Sequence, residues 1–273
     1  MTARRLVFAA SVAMAVALQA AAAPRSANPP AAAALSPPKP VIVCPDTAGA
    51  GDAVALPHLA AALKPGATLQ IVAIGSANAF APDLPAPTGK PAPVTRPSGL
   101  PAQVALALEA AVPGTHVGVT TLAASGLTAG QMLDKLRAEL PRKPYRLVLW
   151  QTGTVEAVND APPDDFYQAL SDGAAAAADA GADLVLIDPQ YSRFLEGNAN
   201  LAPYVTALQA AGGLPGVMLF HRFETMRDWA GNGFFDLEHT PKADRPTVAA
   251  HLHTCLARAL VNSLLADVAL SKS

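Results

Sequence analysis

The chain has 273 residues, 51% of them hydrophobic, with 19 basic and 21 acidic side chains and a formal net charge of −2. That is enough apolar material for one sizeable core, which excludes a disordered chain. The near-neutral charge balance excludes nucleic acid as a partner, because binding it needs a concentrated positive face.

Arg4 and Arg5 open the chain, Leu6 to Leu18 is apolar, and Gln19 to Ala23 ends in small residues. This is the pattern of a secretory signal peptide over residues 1–23, read as cleaved rather than retained as an N-terminal anchor. The apolar run is too short for a membrane span, so no stable span is expected after cleavage. The mature chain is expected to be periplasmic or secreted. Residues 24–40 are rich in Pro, Ala and Ser and read as a linker. One folded domain is expected over residues 41–273. Cys44 and Cys255 lie at its two ends. They are either two buried thiols or a disulfide, and the exported context favours the disulfide.

Within the domain, short apolar runs alternate with longer helical patterns. The runs are Leu69–Ile74, Val117–Thr121, Leu147–Gln151, Leu184–Asp188 and Val217–Phe220. Most are rich in Val, Ile or Leu, as strands buried on both faces are. Helices are expected at Leu100–Ala111, Thr128–Leu140, Asp164–Ala180, Ala202–Ala211 and Arg245–Val268, most of them followed by Pro or Gly. This alternation predicts an α/β domain with a five-stranded parallel sheet covered by helices on both sides.

In such sheets ligands bind beyond the carboxyl ends of the strands. Gly75-Ser76-Ala77, Ala123–Gly126, Thr152–Val155 and Pro189-Gln190 should therefore line one crevice. The proline-bearing loop Ala81–Pro97 follows the first turn and is a candidate rim or lid. Phe235-Asp236-Leu237-Glu238-His239 places Asp and His three apart, so that the carboxylate can hold one imidazole nitrogen and leave the other as a base. Glu156, after Val155, can supply a carboxylate near the crevice, but reads better as a solvent-facing loop charge. His221, Arg222 and Arg227 follow the fifth strand and can approach the site edge. His251 and His253 point to different sides of the last helix, and His58 and His116 lack partners in sequence. The chain has no phosphate-binding glycine loop, CxxC pair or HExxH, so no cofactor and no metal are expected.

The order of these features resembles the SGNH hydrolases, also called GDSL esterases. The resemblance covers most of the chain from about Val41. It is closest to a bacterial subset whose first motif reads Gly-Ser-Ser-Ser-Thr. It includes Leu149-Trp150-Gln151-Thr152-Gly153-Thr154, Asp188-Pro189-Gln190-Tyr191, His221-Arg222-Phe223-Glu224 and Cys255-Leu256-Ala257. It implies a single-domain, flavodoxin-like three-layer α/β/α fold and acyl transfer by a Ser-His-Asp triad. Carried over by position, the triad acid and base are Asp236 and His239, and the oxyanion glycine is Gly126. Ala77 falls at the nucleophile position, and Val155 at the position of the oxyanion Asn.

The expected function is therefore an exported, catalytically impaired or inactive SGNH-type protein. Such a protein would bind a small acyl, carbohydrate or cell-envelope ligand in the family crevice. The alternative is an active carboxylester or O-acetyl esterase with Ser76 as displaced nucleophile, His239 as base and Asp236 as its orienter.

Overall fold

A computed structural model describes residues 43–45, 49–76 and 99–270. The expected leader and linker, Ala77 and the Ala81–Pro97 loop lie outside the described residues. Five strands, β1 (Thr68–Gly75), β2 (His116–Ala123), β3 (Leu147–Gln151), β4 (Asp183–Ile187) and β5 (Val217–Phe220), form one all-parallel sheet ordered β2-β1-β3-β4-β5. All five coincide with the apolar runs of the sequence to within a residue or two.

The period-two alternation of strand side chains sorts them into two cores. Leu69, Ile71, Ala73, Leu147, Leu149, Val185 and Met218 face one side. They pack against α2 (Leu100–Ala111), α8 (Arg222–Gly231) and the long α9 (Arg245–Leu270). Val72, Ile74, Val148, Trp150, Leu184, Leu186 and Leu219 face the other. There they meet α3 (Ala129–Glu139), α5 (Pro163–Asp179) and α7 (Ala202–Gly212). This is the expected three-layer α/β/α architecture. Trp150 is fully buried, and its indole N–H points at Met132 Sδ, 3.3 Å away. It lies so close to α5 that a Cβ on Gly173 would sit 2.2 Å from the ring, so only glycine fits there.

Four further helices have no strong signal in the sequence: α1 (Pro57–Ala62), α4 (Thr154–Asn159), α6 (Arg193–Asn198) and α8. Three of them, α1, α6 and α8, are started by a side chain that takes an N–H of the first turn. Asp183 accepts the Leu59 N–H of α1 at 2.8 Å, and Asp188 accepts the Phe223 N–H of α8 at 2.7 Å. Ser192 caps α6 through the Leu195 N–H at 3.0 Å.

The N-terminal segment runs along the edge of β5. His221 N–H donates to Ala50 at 2.8 Å, Asp52 N–H donates to Leu219 at 3.0 Å, and Gly51 bridges Phe220 antiparallel. His221 Nε2 lies 2.7 Å from Asp52 Oδ1. His221 therefore serves this strap, and not the site edge for which the sequence made it a candidate. Cys44 and Cys255 form a disulfide with Cα atoms 5.3 Å apart, fastening the strap to α9. Among the described residues, no helix is long and apolar enough to cross a membrane.

Candidate active site

The strand order reverses between β1 and β3, where chains leave the sheet in opposite directions and open a crevice. The crevice, of about 530 Å³, collects the four strand ends the sequence pointed to. They contribute Ser76 after β1, Ala124 to Gly126 after β2, Thr152 to Val155 after β3, and Gln190 after β4.

Two of its turns depend on left-handed glycines. Gly126 has φ +76° and Gly153 has φ +93°. A Cβ on Gly153 would meet Pro189 in ordinary contact at 3.4 Å, so the left-handed backbone and not space calls for glycine there. The Gly126 turn is held by Ala124 N–H to Gly75 (2.8 Å) and leads into Thr128, which caps α3 in a reciprocal capping box with Gln131.

Glu156 corrects the sequence reading. It is no solvent-facing charge but is only 2% exposed, and its Oε1 accepts the Ala129 N–H at the start of α3 at 2.5 Å. The carboxylate is drawn in by the positive end of that helix and ties the Gly126 turn to the β3 end.

Ser76 is half-buried at the head of β1. Both its backbone N–H (3.3 Å) and its hydroxyl (3.2 Å) donate to Gln151 Oε1. Gln151 ends β3, and a polar residue closing an otherwise apolar run was the available signal for it. Val155 lines the crevice, and its side chain offers no hydrogen-bond donor.

The Asp-His pair forms as the spacing suggested. His239 Nδ1 is 2.7 Å from Asp236 Oδ2, and the His239 backbone N–H donates to Asp236 Oδ1 at 3.2 Å. An ionised carboxylate only accepts, so the ring proton sits on Nδ1 and leaves Nε2 as the free basic nitrogen. The pair lies on an open rim, with the His239 side chain 75% exposed.

Arg193, which sequence spacing could not connect to this loop, grips the same carboxylate with both terminal nitrogens, each at 3.1 Å. It also reaches Glu238 at 3.1 Å, and its Nη1 comes within 3.3 Å of His239 Nδ1. Hydrogen bonds from Arg193, and then from His239, hold the Asp236 carboxyl well below the usual carboxylate range.

Asp236 lines a second cavity of about 490 Å³, bounded by α8, the 235–238 loop and α9. Gln190 and Ser192 stand between the two cavities and line both. The structure thus brings Ser76, Gly126 and Val155 together, and Asp236 with His239. Among the described residues no hydrogen bond joins Ser76 to His239. Ala77 lies outside the described residues.

Beneath the crevice, Arg222 is fully buried, and its Nη2 donates to Gln190 Oε1 at 2.8 Å. Burial pushes the neighbouring Asp188 carboxyl up to about 7, offset in part by the Phe223 N–H and by the charges of His221 and Arg222. Arg227 pairs instead with Glu224 and Glu196, away from the crevice.

A model of the Non-GDSL lipase-like family matches residues 43–270. Among solved structures, the fold is similar to a catalytic mutant of Axe2, an acetylxylan esterase from Geobacillus stearothermophilus. That match has 14% identity over 72% of this chain and 94% of that one, with a TM-score of 0.54. A second Axe2 mutant, from the same organism and described as an acetyl-xylooligosaccharide esterase, matches at 17% identity over 74% and 96%, with a TM-score of 0.51. LAE5, an alpha/beta hydrolase enzyme from the metagenome of Lake Arreo, Spain, matches at 15% identity over 78% and 100%, with a TM-score of 0.50. At these identities the likeness concerns the fold alone. No curated protein matches the chain.

Proposed function

The chain belongs to the Non-GDSL lipase-like family of the SGNH hydrolase superfamily, and from that premise we propose that it is an exported binding protein in which the esterase crevice is kept and hydrolysis is lost or strongly impaired. The observation that carries this reading is the double hydrogen bond from Ser76 to Gln151 Oε1. A carboxamide oxygen is too weak a base to activate a hydroxyl, and acyl transfer requires the nucleophile to face the imidazole at near-attack distance. The Ser76 N–H, which would be an oxyanion donor in a serine esterase, is taken by the same oxygen.

Val155 removes a further donor, and one such donor is worth about 10²–10³ in turnover. Sequence registration places Ala77, with no nucleophile, where the family carries its serine. What remains among the described residues is a crevice with a hydrogen-bonding floor and no hydroxyl hydrogen-bonded to His239. The leader-like N-terminus supports export.

Hydrolysis of p-nitrophenyl acetate tests the reading. The wild type is expected to stay within a few-fold of the His239→Ala variant. Ala77→Ser is expected to raise the rate, and Ala77→Ser with Val155→Asn to raise it further, by up to about 10²-fold for the restored donor. Robust wild-type turnover abolished by Ser76→Ala would overturn the proposal and make Ser76 a displaced nucleophile.

A further inference from the structure

Two glutamines line the crevice, and each has the same side of its carboxamide committed to the protein. Gln151 Oε1 accepts the Ser76 N–H and hydroxyl. Gln190 Oε1 accepts from Arg222 Nη2. A backbone N–H and a guanidinium can only donate, so the atom facing each of them is the carboxamide oxygen and not the nitrogen. Both side chains are therefore fixed oxygen-inward, which leaves both NH₂ groups as donors. Among the described residues, neither nitrogen has a protein acceptor.

Arg222 gives the second lock its strength. It is wholly buried, and a charge in that position is costly unless it is hydrogen-bonded. Among the described residues, its one side-chain hydrogen bond is to Gln190, so rotating that amide would leave the cation facing an NH₂ group.

The rest of the lining sets the kind of ligand. Among the described residues, no ionisable side chain lines the crevice. Thr152 on its floor is 2% exposed, and its hydroxyl has no hydrogen-bond partner among the described residues. Phe194 and Val158 stand at the crevice 71% and 60% exposed, apolar groups that an alkyl or ring face would cover. Fixed neutral donors call for a neutral acceptor, and a carbonyl oxygen with two lone pairs can take one hydrogen bond from each amide.

We infer that Gln151 and Gln190 form a donor pair that recognises the carbonyl oxygen of an acyl group carried by an uncharged ligand, with the acyl and ring carbons against Phe194 and Val158. The inference rests on the reading of the crevice as a binding site. The acyl group could be held in an amide, as on an N-acetylated sugar, or in an ester, as on an O-acetylated one.

Isothermal titration of the full chain, with melting temperature as the control for folding, decides the matter. The probes are N-acetylglucosamine for the amide, an O-acetylated glucose for the ester, and glucose as the carbonyl-free control. Gln151→Glu and Gln190→Glu keep an oxygen for Ser76 and Arg222 but replace the donor with an acceptor. At least one acyl probe is expected to bind saturably and at least tenfold more tightly than glucose. Each Gln→Glu change is expected to weaken it about tenfold or more. If the buried charge lowers the melting temperature, Gln151→Met and Gln190→Met remove the donor without it, and the same loss of affinity is expected.

Unchanged affinity in the variants, equal binding of glucose, or no saturable binding of either acyl probe to the wild type would each overturn the inference. The failure of the non-hydrolytic reading looks different. In that case the ester probe is turned over through Ser76, while the amide probe still reports whether the two glutamines hold the carbonyl.

Discussion

The Cys44–Cys255 bond should carry a large share of the stability of this domain. It joins residues 211 apart, so it closes almost the whole domain into one loop. In the chain-entropy model, a loop of that length lowers the entropy of the unfolded chain by an amount worth about 5 kcal/mol at 25 °C. That is an upper figure, because real denatured chains are already compact. A loss between about 2 and 5 kcal/mol is expected on reduction, a large fraction of what a domain of this size has. Cys44→Ser is the better variant. Cys44 is half-buried near Arg258, whereas Cys255 is fully buried in the α9 core, where a lone thiol remains at home. The native strap should survive, since the bonds of Ala50 and Asp52 to the β5 edge do not involve sulfur. Urea unfolding followed by circular dichroism, with and without reductant, gives both midpoint and slope. The midpoint should fall, and the slope should rise slightly because the freed unfolded chain exposes more surface. A stability loss under about 1 kcal/mol, or a reduced protein with a lost strap and an unchanged slope, would refute the reasoning.

Three other measurements follow from the packing and the buried charges. Gly173→Ala drives a methyl into Trp150 and should destabilise by about 1–3 kcal/mol in urea. Gly130→Ala on α3, where a Cβ meets nothing within 4 Å, should instead stabilise by up to about 1 kcal/mol. Asp267 is 2% exposed, and burial, helped by the charge of Asp52, pushes its carboxyl up to about 6, against the opposing hydrogen bond from Val54. Between pH 4 and 6 the folded state holds this proton and the unfolded state does not, so stability falls as pH rises through that window. Asp267→Asn should remove that decline, by at most about 3 kcal/mol. Parallel pH profiles of wild type and variant, compared from pH 4 to 7, would refute it.

The frame was legible in the sequence because it is written in local pattern. Runs such as Leu147–Gln151 are apolar on both faces, and helices such as Leu100–Ala111 and Pro163–Asp179 are bounded by Pro and Gly. The four strand ends around the crevice followed from topology alone. What escaped was everything set by distant partners. Helix α8 begins where Asp188 catches the Phe223 N–H, 35 residues away, and the Glu156 carboxylate is buried because α3 starts beside it. No periodicity encodes such pairings. Arg193 escaped for the same reason, lying 43 residues from Asp236.

That last contact gives Asp236 a role besides holding the imidazole. In an active triad, the acid exists to orient and charge-stabilise the imidazole during attack. Here Asp236 has other work. It takes both nitrogens of Arg193, and its backbone carbonyl receives the Thr240 N–H at 3.1 Å. Arg193 in turn reaches Glu238 by side chain and by its own N–H at 2.9 Å. The loop before α9 is thus built on Asp236 whether or not a nucleophile faces it. A chain that lost hydrolysis would keep this acid for the loop's sake, and His239 would stay paired beside it. Retention of the pair therefore weighs little in favour of catalysis. The discriminating group lies in the crevice itself, where Gln151 holds the amide and hydroxyl of Ser76 on one oxygen. Breaking that hold while a hydroxyl is restored at position 77 separates a crevice that binds from one that cleaves.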